Sequence, residues 1–476
     1  MQDFIEYINA LVWGSASVPY PPVLLLLLGT GLFLMVRLGF MPILRMPFAI
    51  RELFRRRTDA EEGDVSPFGA LMTALSSTIG TGNIVGVAVA IAIGGPGAVF
   101  WMWMTALVGM ASKFAEGVLA VKFREVDADG RHVGGPMYYI KNGMGSKWTW
   151  LGGVFAAFGI LASWGTGASI QANSIADALN SNYGITPWIT GLVLAGAAAA
   201  VILGGIQRIA SVASKLVPAM AVSYLVAGLI VILMNAQAVP AAFGSIFTQA
   251  FGFDAAKGGF VGGLLLLAMQ KGVARGIFSN EAGQGSAPIA HAAAQNNDPV
   301  NQGVIAMLGT FIDTIIVCSI TALVILTAGI IPEACEPFVR ESLVTLPANC
   351  QTGAPLTIQA FNNSLPGIGE HIVAIGLTIF GFTTILGWSY YGERSAEFLF
   401  SEKIILPFKI SWIFFTFFGA SVLMLGEGDN PVNNVVTYFW LVADTLTGLM
   451  AAPNLIALLA LSPLVAKMTK EYFADK

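Results

Sequence analysis

Apolar runs of about 20 residues, the length an α-helix needs to cross a bilayer's hydrocarbon, recur along almost the whole of this chain. No other feature limits its fold as much. We read spans near 22–40, 68–92, 97–121, 151–178, 187–205, 210–234, 262–290, 302–330, 368–398, 407–425 and 433–462, about eleven in all. Charge points the same way. Only 11% of the 476 residues are Asp, Glu, Lys or Arg, against about a quarter in a soluble domain, too few to cover a surface in water. A segment in lipid must satisfy its own backbone groups, and helices do so within one segment. The expected class is an all-α polytopic membrane protein. The opening stretch MQDFIEYINALVWG carries Asp3 and Glu6 and no basic n-region, so it does not read as a cleaved signal peptide. The first span is read as retained.

Loops between the spans sort by charge. Arg37, Arg45, Arg51, Arg55, Arg56 and Arg57 follow the first span; Lys122, Arg124, Arg131, Lys141 and Lys147 follow the third. Arg208 and Lys215 follow the fifth, Arg394, Lys403 and Lys409 the ninth, and Lys467, Lys470 and Lys476 lie in the tail. The alternate loops hold only Lys257 and Arg340. The positive-inside rule then places the N-terminus outside and the C-terminus in the cytoplasm. The outer loop 331–367 contains Cys335 and Cys350, where an oxidising compartment permits a disulfide; two free thiols fit equally. Cys318 falls mid-span and reads as packing.

Two spans are interrupted. The second contains SSTIGTGNIVG, residues 76–86, and the seventh contains GVARGIFSNEAGQGSAP, residues 272–288, with its break expected at 276–285. Each opens a block of five spans, and an odd number inverts the second block relative to the first. The chain then divides into 1–66 (outer terminus, first span and basic loop), 67–236 (first block), 237–462 (second block) and the tail 463–476. Glycine weakens a helix by roughly 1 kcal/mol relative to alanine, so Gly80, Gly82 and Gly86 ease a break. The amides near Thr81 and Gly82 then open the second half-helix, where an anion binds. Carbonyls freed near Ser76 and Ile79 can ligate Na⁺, and Asn83 offers a side-chain oxygen beside them. Gly82 and Gly86 also suit close helix packing. Packing needs no second break, whereas paired breaks in two halves mark the substrate site of a secondary transporter.

The stretches GALMTALSSTIGTGNIVGVAVAIAIGGPGAVFWMWM, GGPMYYIKNGMG and RGIFSNEAGQGSAPIAHAAA resemble the alanine or glycine:cation symporter family, and the likeness runs over nearly the whole chain. It implies sodium-coupled amino-acid carriage and the inverted five-plus-five helix repeat of the leucine-transporter fold, with the first span as an extra N-terminal helix. It implies that Thr78, Thr81, Gly82 and Asn83 meet the substrate, that Gln171 in the fourth span faces the site, and that carbonyls around Gly276, Ile277 and Phe278 accept the ammonium. In IFGFTTILGWSYYGER, Thr383 and Thr384 share a helix face with Phe380. With Ser76 and Ile79 they match the sodium site common in leucine-transporter-like folds. Trp388, one turn on, would cap a pocket sized for alanine or glycine. Each threonine could instead bond back to its own helix, and Trp388 could be packing.

The resemblance implies a plasma-membrane protein, the bacterial inner membrane being its place. The partners expected are alanine or glycine, Na⁺ as coupling ion and lipid, with no further cofactor. Proton coupling, or a preference for glutamine or D-alanine, stays open. The motif G-x-x-x-x-G-K-[ST] has no match, which speaks against ATP drive. The basic clusters are membrane flanks rather than a nucleic-acid surface. His132, His291 and His371 are far apart and Cys318 stands alone, so no catalytic set is expected. Ionisable residues inside spans are costly. Lys271 or Arg275 is expected to pair with Asp313 or Glu281; Asp444 is a further intramembrane acid.

Overall fold

A computed structural model describes residues 2–15, 18, 20–55, 62–251, 261–330, 353–422 and 432–474, without the side chains of 2, 261–264 and 432–438. Cys335 and Cys350 lie outside the described residues. The described residues are mostly helical. After α1 (Gln2–Trp13) come α2 (Pro22–Arg37), the half-helices α3 (Pro67–Thr78) and α4 (Val87–Gly94), and α5 (Gly97–Lys122). A small hairpin follows, β1 (Glu125–Val126) antiparallel to β2 (His132–Val133). Then come α6 (Thr149–Ala162), α7 (Ile170–Tyr183), α8 (Pro187–Ile202), α9 (Gly205–Met234) and α10 (Val239–Ala250). The second block runs through α11 (Val261–Asn280), α12 (Ala287–Ala292), α13 (Pro299–Thr310), α14 (Ser319–Thr327) and α15 (Gly353–Ser364). It ends with α16 (Gly369–Phe400), α17 (Ile405–Ser421) and α18 (Val432–Ala474). Each expected span overlaps a helix; the last, expected to end at 462, runs on to Ala474, and 423–425 of the tenth lie outside the described residues. Among the described residues seven helices are long and apolar enough to cross a bilayer, α3 and α4 make an eighth bent by 53°, and α2 and α8 are shorter apolar helices.

The blocks fold into one another rather than side by side. α5 packs most extensively on α13 and α11, so the opening members of both repeats form one group; α6 and α7 pack on α16, and α8 on α17, forming the other. Small residues let these helices close up, as lipid-embedded interfaces require. A Cβ at Gly117 of α5 would stand 2.7 Å from Ala306 and 2.9 Å from Gly303 on α13. One at Gly272 of α11 would meet the Ala98 carbonyl at 2.2 Å.

Two pieces of local structure were not expected. α1 docks on α18: Asn9 Nδ2 donates to Thr445 Oγ1 at 2.9 Å and Trp13 Nε1 to the Asp444 carbonyl at 3.1 Å. The β1–β2 hairpin ties three elements at one face of the molecule. Arg124 donates to the Ala292 and Ala294 carbonyls and to that of Glu62, and Asp64 accepts from the His132 amide. Asp127 at its turn is ion-paired at 3.4 Å with Arg394 of α16. Arg394 is buried and also pairs with Glu393 and Glu397, while Lys409 reaches Glu393.

Candidate functional site

The two breaks lie against each other in the middle of the molecule. In the first, α3 ends at Thr78 and helix resumes as a π-turn over Gly82–Gly86. In an unbroken helix the Gly80 amide would bond the Ser76 carbonyl. It donates instead to Asn83 Oδ1 at 2.9 Å, which releases that carbonyl. Asn83 therefore caps the break from inside. The amides of Thr81 and Gly82 stand in the first turn of the resumed helix, where no intrahelical acceptor exists. Gly82 is needed for approach: a Cβ there would sit 3.3 Å from Ser279 Cα at the end of α11 and 3.5 Å from the Phe278 ring. A Cβ on Gly80 would sit 2.5 Å from Thr384 Oγ1 and 3.5 Å from Gln171 Oε1. The first break is thus bracketed by α7, α11 and α16.

The expected oxygens divide. Thr384 Oγ1 donates to the Phe380 carbonyl at 3.0 Å and lies 3.5 Å from the Ile79 carbonyl, so these three come together across α3 and α16. Thr383 Oγ1 donates to the same Phe380 carbonyl at 2.9 Å but also touches Met220 Sδ of α9. The Ser76 hydroxyl bonds back to Thr73 at 2.7 Å. Its released carbonyl, not its hydroxyl, is the group left for a cation. Gln171 is buried; its Nε2 donates to the Thr166 carbonyl and its Oε1 has no hydrogen-bond partner. Thr78 is buried, its hydroxyl 3.4 Å from carbonyls of its own helix.

The second break requires correction. α11 stays helical to Asn280, and the chain opens only at 281–286, later than the expected 276–285. Gly276 is therefore inside a helix, its open side against Thr105 of α5, where a Cβ would meet Oγ1 at 2.2 Å. Its role is close packing. The Ile277 carbonyl is taken by the Glu281 amide at 2.8 Å and by Gln284 Nε2 at 3.2 Å. Phe278 remains beside the site through its ring, which touches Gly82 and carries the Arg275 guanidinium 5.6 Å from its centroid. Gly283 and Gly285, at φ 83° and 85°, make the break itself.

The expected pairing of Lys271 or Arg275 with Asp313 or Glu281 does not form. Asp313 sits in a π-turn between α13 and α14 and accepts from Asn83 Nδ2 at 2.7 Å and from the Ser279 and Thr314 hydroxyls at 2.8 Å each. Cys318 joins the same cluster, 3.4 Å from Asn83 Nδ2 and 3.3 Å from Ser279 Oγ. Glu281 accepts from Trp388 Nε1 at 2.9 Å and from the Ser286 hydroxyl. A third acid escaped notice. Glu116 of α5 accepts the Gly285 amide at 3.1 Å and Asn454 Nδ2 at 2.7 Å; Asn454 donates also to the Gly283 carbonyl, and the Tyr139 hydroxyl donates to Asn454 Oδ1. These groups stitch the second break to α5, α18 and the short helix Pro136–Tyr139. The available signal was an ionisable residue inside an apolar span, which is costly there. Lys113, one turn before Glu116, is buried among the acids, and its charge acts on Glu116, Glu281 and Asp313.

What this arrangement brings together is a buried set of amides, carbonyls and hydroxyls from α3, α7, α11 and α16. The profile of the sodium:alanine symporter family matches residues 1–476. The sodium/alanine symporter AgcS of Methanococcus maripaludis is 47% identical over 99% of this chain and 97% of its own. The amino-acid carrier protein AlsT of Bacillus subtilis is 35% identical over 98% of this chain and 92% of its own. Among solved structures, MhsT in complex with L-phenylalanine superposes with a TM-score of 0.55 at 14% identity, covering 86% of this chain and 99% of that one. That likeness shows the fold alone, the leucine-transporter-like architecture expected from the sequence. The protein is a multi-pass membrane transporter rather than an enzyme, a cation-coupled carrier of amino acids, and the chain belongs to the sodium:alanine symporter family.

Proposed function

We propose that the protein imports alanine, and glycine with it, by symport with Na⁺ across a bacterial inner membrane, its N-terminus outside and its C-terminus and hairpin face in the cytoplasm. The observation that carries this reading is the first break. It places the amides of Thr81 and Gly82 in the first turn of the resumed helix, within a few residues of the Ile79 carbonyl, which lies 3.5 Å from Thr384 Oγ1 of α16. The amides of Thr81 and Gly82 hold the substrate carboxylate. Gln171 Oε1, unpartnered and buried, is the acceptor available for the ammonium, in place of the Gly276 and Ile277 carbonyls. Na⁺ takes the carbonyls of Ser76, Ile79 and Phe380 with the hydroxyls of Thr383 and Thr384. A site of neutral oxygens suits a hard monovalent cation, and its occupancy joins α3 to α16. Cation and substrate bias the equilibrium between outward- and inward-open states only by their different affinities for the two. One helix group then rocks against the other about the fixed site. At a potential of about 100 mV, negative inside, each charge moved inward contributes ~2.3 kcal/mol.

Radiolabelled alanine uptake into proteoliposomes tests this, with an inward Na⁺ gradient or a pH gradient. Accumulation that needs Na⁺ and collapses in Asn83→Ala and Thr384→Ala is expected. Uptake driven by the pH gradient and indifferent to Na⁺ would remove the threonine site while leaving the fold. Glutamine accumulation without alanine would move the substrate assignment.

A further inference from the structure

Trp388 is gripped from two sides. Its indole lies against Gly167, in the π-turn between α6 and α7, where a Cβ would stand 2.5 Å from Trp388 Cβ and 2.7 Å from its Cγ. On the other side its Nε1 donates to Glu281 Oε1 at 2.9 Å, and the second oxygen of that carboxylate takes the Ser286 hydroxyl. Glu281 stands at φ 53°, in the left-handed region, as Gly283 and Gly285 also do at 83° and 85°. Two of these three positions carry glycine, which suits that conformation; the third carries a glutamate at a cost in backbone strain. Strain of that kind persists where the side chain does something glycine cannot. Here it spans the gap between the two helix groups and fixes the indole.

We propose that Glu281 is a positioning residue that sets the upper size of the transported side chain by holding Trp388 in one rotamer. The proposal rests on the function given above. With Gly167 behind it and Glu281 on its N–H, the indole cannot swing, and the space beyond the substrate's Cβ stays short. Remove the acceptor and the buried N–H is left without a partner, which drives the ring to seek another one. The pocket then deepens for branched and longer side chains. Glutamine at 281 keeps an acceptor oxygen for the indole and an amide that donates to Ser286, so it preserves the grip while discarding the charge. Glycine at 281 relieves the backbone and discards the grip, and the thermal stability of each variant separates loss of the grip from loss of the fold.

The experiment compares wild type, Glu281→Gln and Glu281→Gly by kcat/KM for uptake of alanine and leucine, with thermal stability recorded for each. Methylene-sized differences in an apolar pocket are worth about 10–200-fold; Glu281→Gly should lose the alanine preference by about tenfold or more, chiefly through a lower KM for leucine. Glu281→Gln should keep the wild-type ratio. An unchanged ratio in Glu281→Gly, or an equal loss in both variants, overturns the proposal. Fluorine NMR of 5-fluorotryptophan-labelled protein, with the Trp388 signal assigned by Trp388→Phe, reads the grip without any substrate. That signal should move in Glu281→Gly and hold in Glu281→Gln, and a signal unmoved in both refutes the positioning role. If the signal moves as expected while wild type carries neither amino acid, the fault lies in the transport reading.

Discussion

Replacing Gly80 by alanine tests the ion site with a single methyl group. The new Cβ would stand 2.5 Å from Thr384 Oγ1 and 3.5 Å from Gln171 Oε1. Gly80 is not among the glycines at positive φ, so the backbone accepts alanine, and the cost is one of space alone. Overpacking of this kind costs ~1–3 kcal/mol. Thr384 must yield, because the first contact is too short for any Cβ. Its χ1 is stiff, and turning it gives up the 3.0 Å bond to the Phe380 carbonyl. An empty site can relax this way. A site that holds Na⁺ on that hydroxyl cannot, so the cost falls on the occupied state. Expressed as affinity, ~1–3 kcal/mol is about 5–150-fold. The assay is the Na⁺ dependence of alanine uptake in proteoliposomes at saturating alanine, beside Gly86→Ala, whose Cβ would meet Arg275 Cδ at an ordinary 3.9 Å. Half-saturation by Na⁺ should rise by about 5–150-fold in Gly80→Ala and stay put in Gly86→Ala. A folded Gly80→Ala protein with wild-type Na⁺ dependence would refute the placement of the ion between α3 and α16.

Three further outcomes follow from other parts of the molecule. Glu116→Leu takes the acceptor from the Gly285 amide and from one N–H of Asn454 Nδ2, whose other bond to the Gly283 carbonyl remains, and each stranded buried donor costs ~1–3 kcal/mol; its melting temperature should fall well below that of Glu116→Gln, which keeps an acceptor oxygen. Arg394→Met takes the ion-pair partner from Asp127 and Glu397 and leaves Glu393 only Lys409, at a cost of about 3–5 kcal/mol, so hydrogen exchange in residues 125–133 should quicken, and Asp127→Asn in the same chain should recover part of the protection. Burial alone would raise the pKa of Glu125, but the hydrogen bonds from Lys141 and Asn142 and the Lys141 charge outweigh it and hold it below the usual carboxylate range. A depressed carboxylate stabilises above its unfolded value and loses that contribution as pH falls through the folded one, so the Glu125–Lys141 tie should survive at neutral pH and be lost only below the ordinary glutamate range, read by exchange at Lys141.

The first break was legible because three glycines, an asparagine and two threonines crowd into the nine residues 78–86 between apolar runs. The second was legible in existence but not in register. Gly272 and Gly276 look the same in a string as Gly283 and Gly285, yet the first pair lets α11 lie on α5 and the second turns the chain. Spacing within α11 cannot separate them, because the difference is made by the backbone of another helix. Partner choice for the buried charges failed for a related reason. Lys271 and Arg275 precede Glu281 by only a few residues, but Glu281 faces α16 across the break and Asp313 faces Asn83. That Thr384 shares the Phe380 face follows from helix geometry alone. The docking of α1 and the β1–β2 hairpin had no apolar period to announce them.

The knot at the hairpin face also has a timetable. The Asp64 and Val65 amides are both received by the Ala293 carbonyl, and the Val65 carbonyl takes the Gln295 amide. About 230 residues of chain separate these partners, and at the ~5–20 residues per second of synthesis they meet only after about 10–50 s. Through most of that interval α3 and α4 lack the partners that α11 and α16 bring to the first break. A nascent chain halted before α12 would hold its first repeat in that half-clasped form, and so be a natural substrate for membrane quality control.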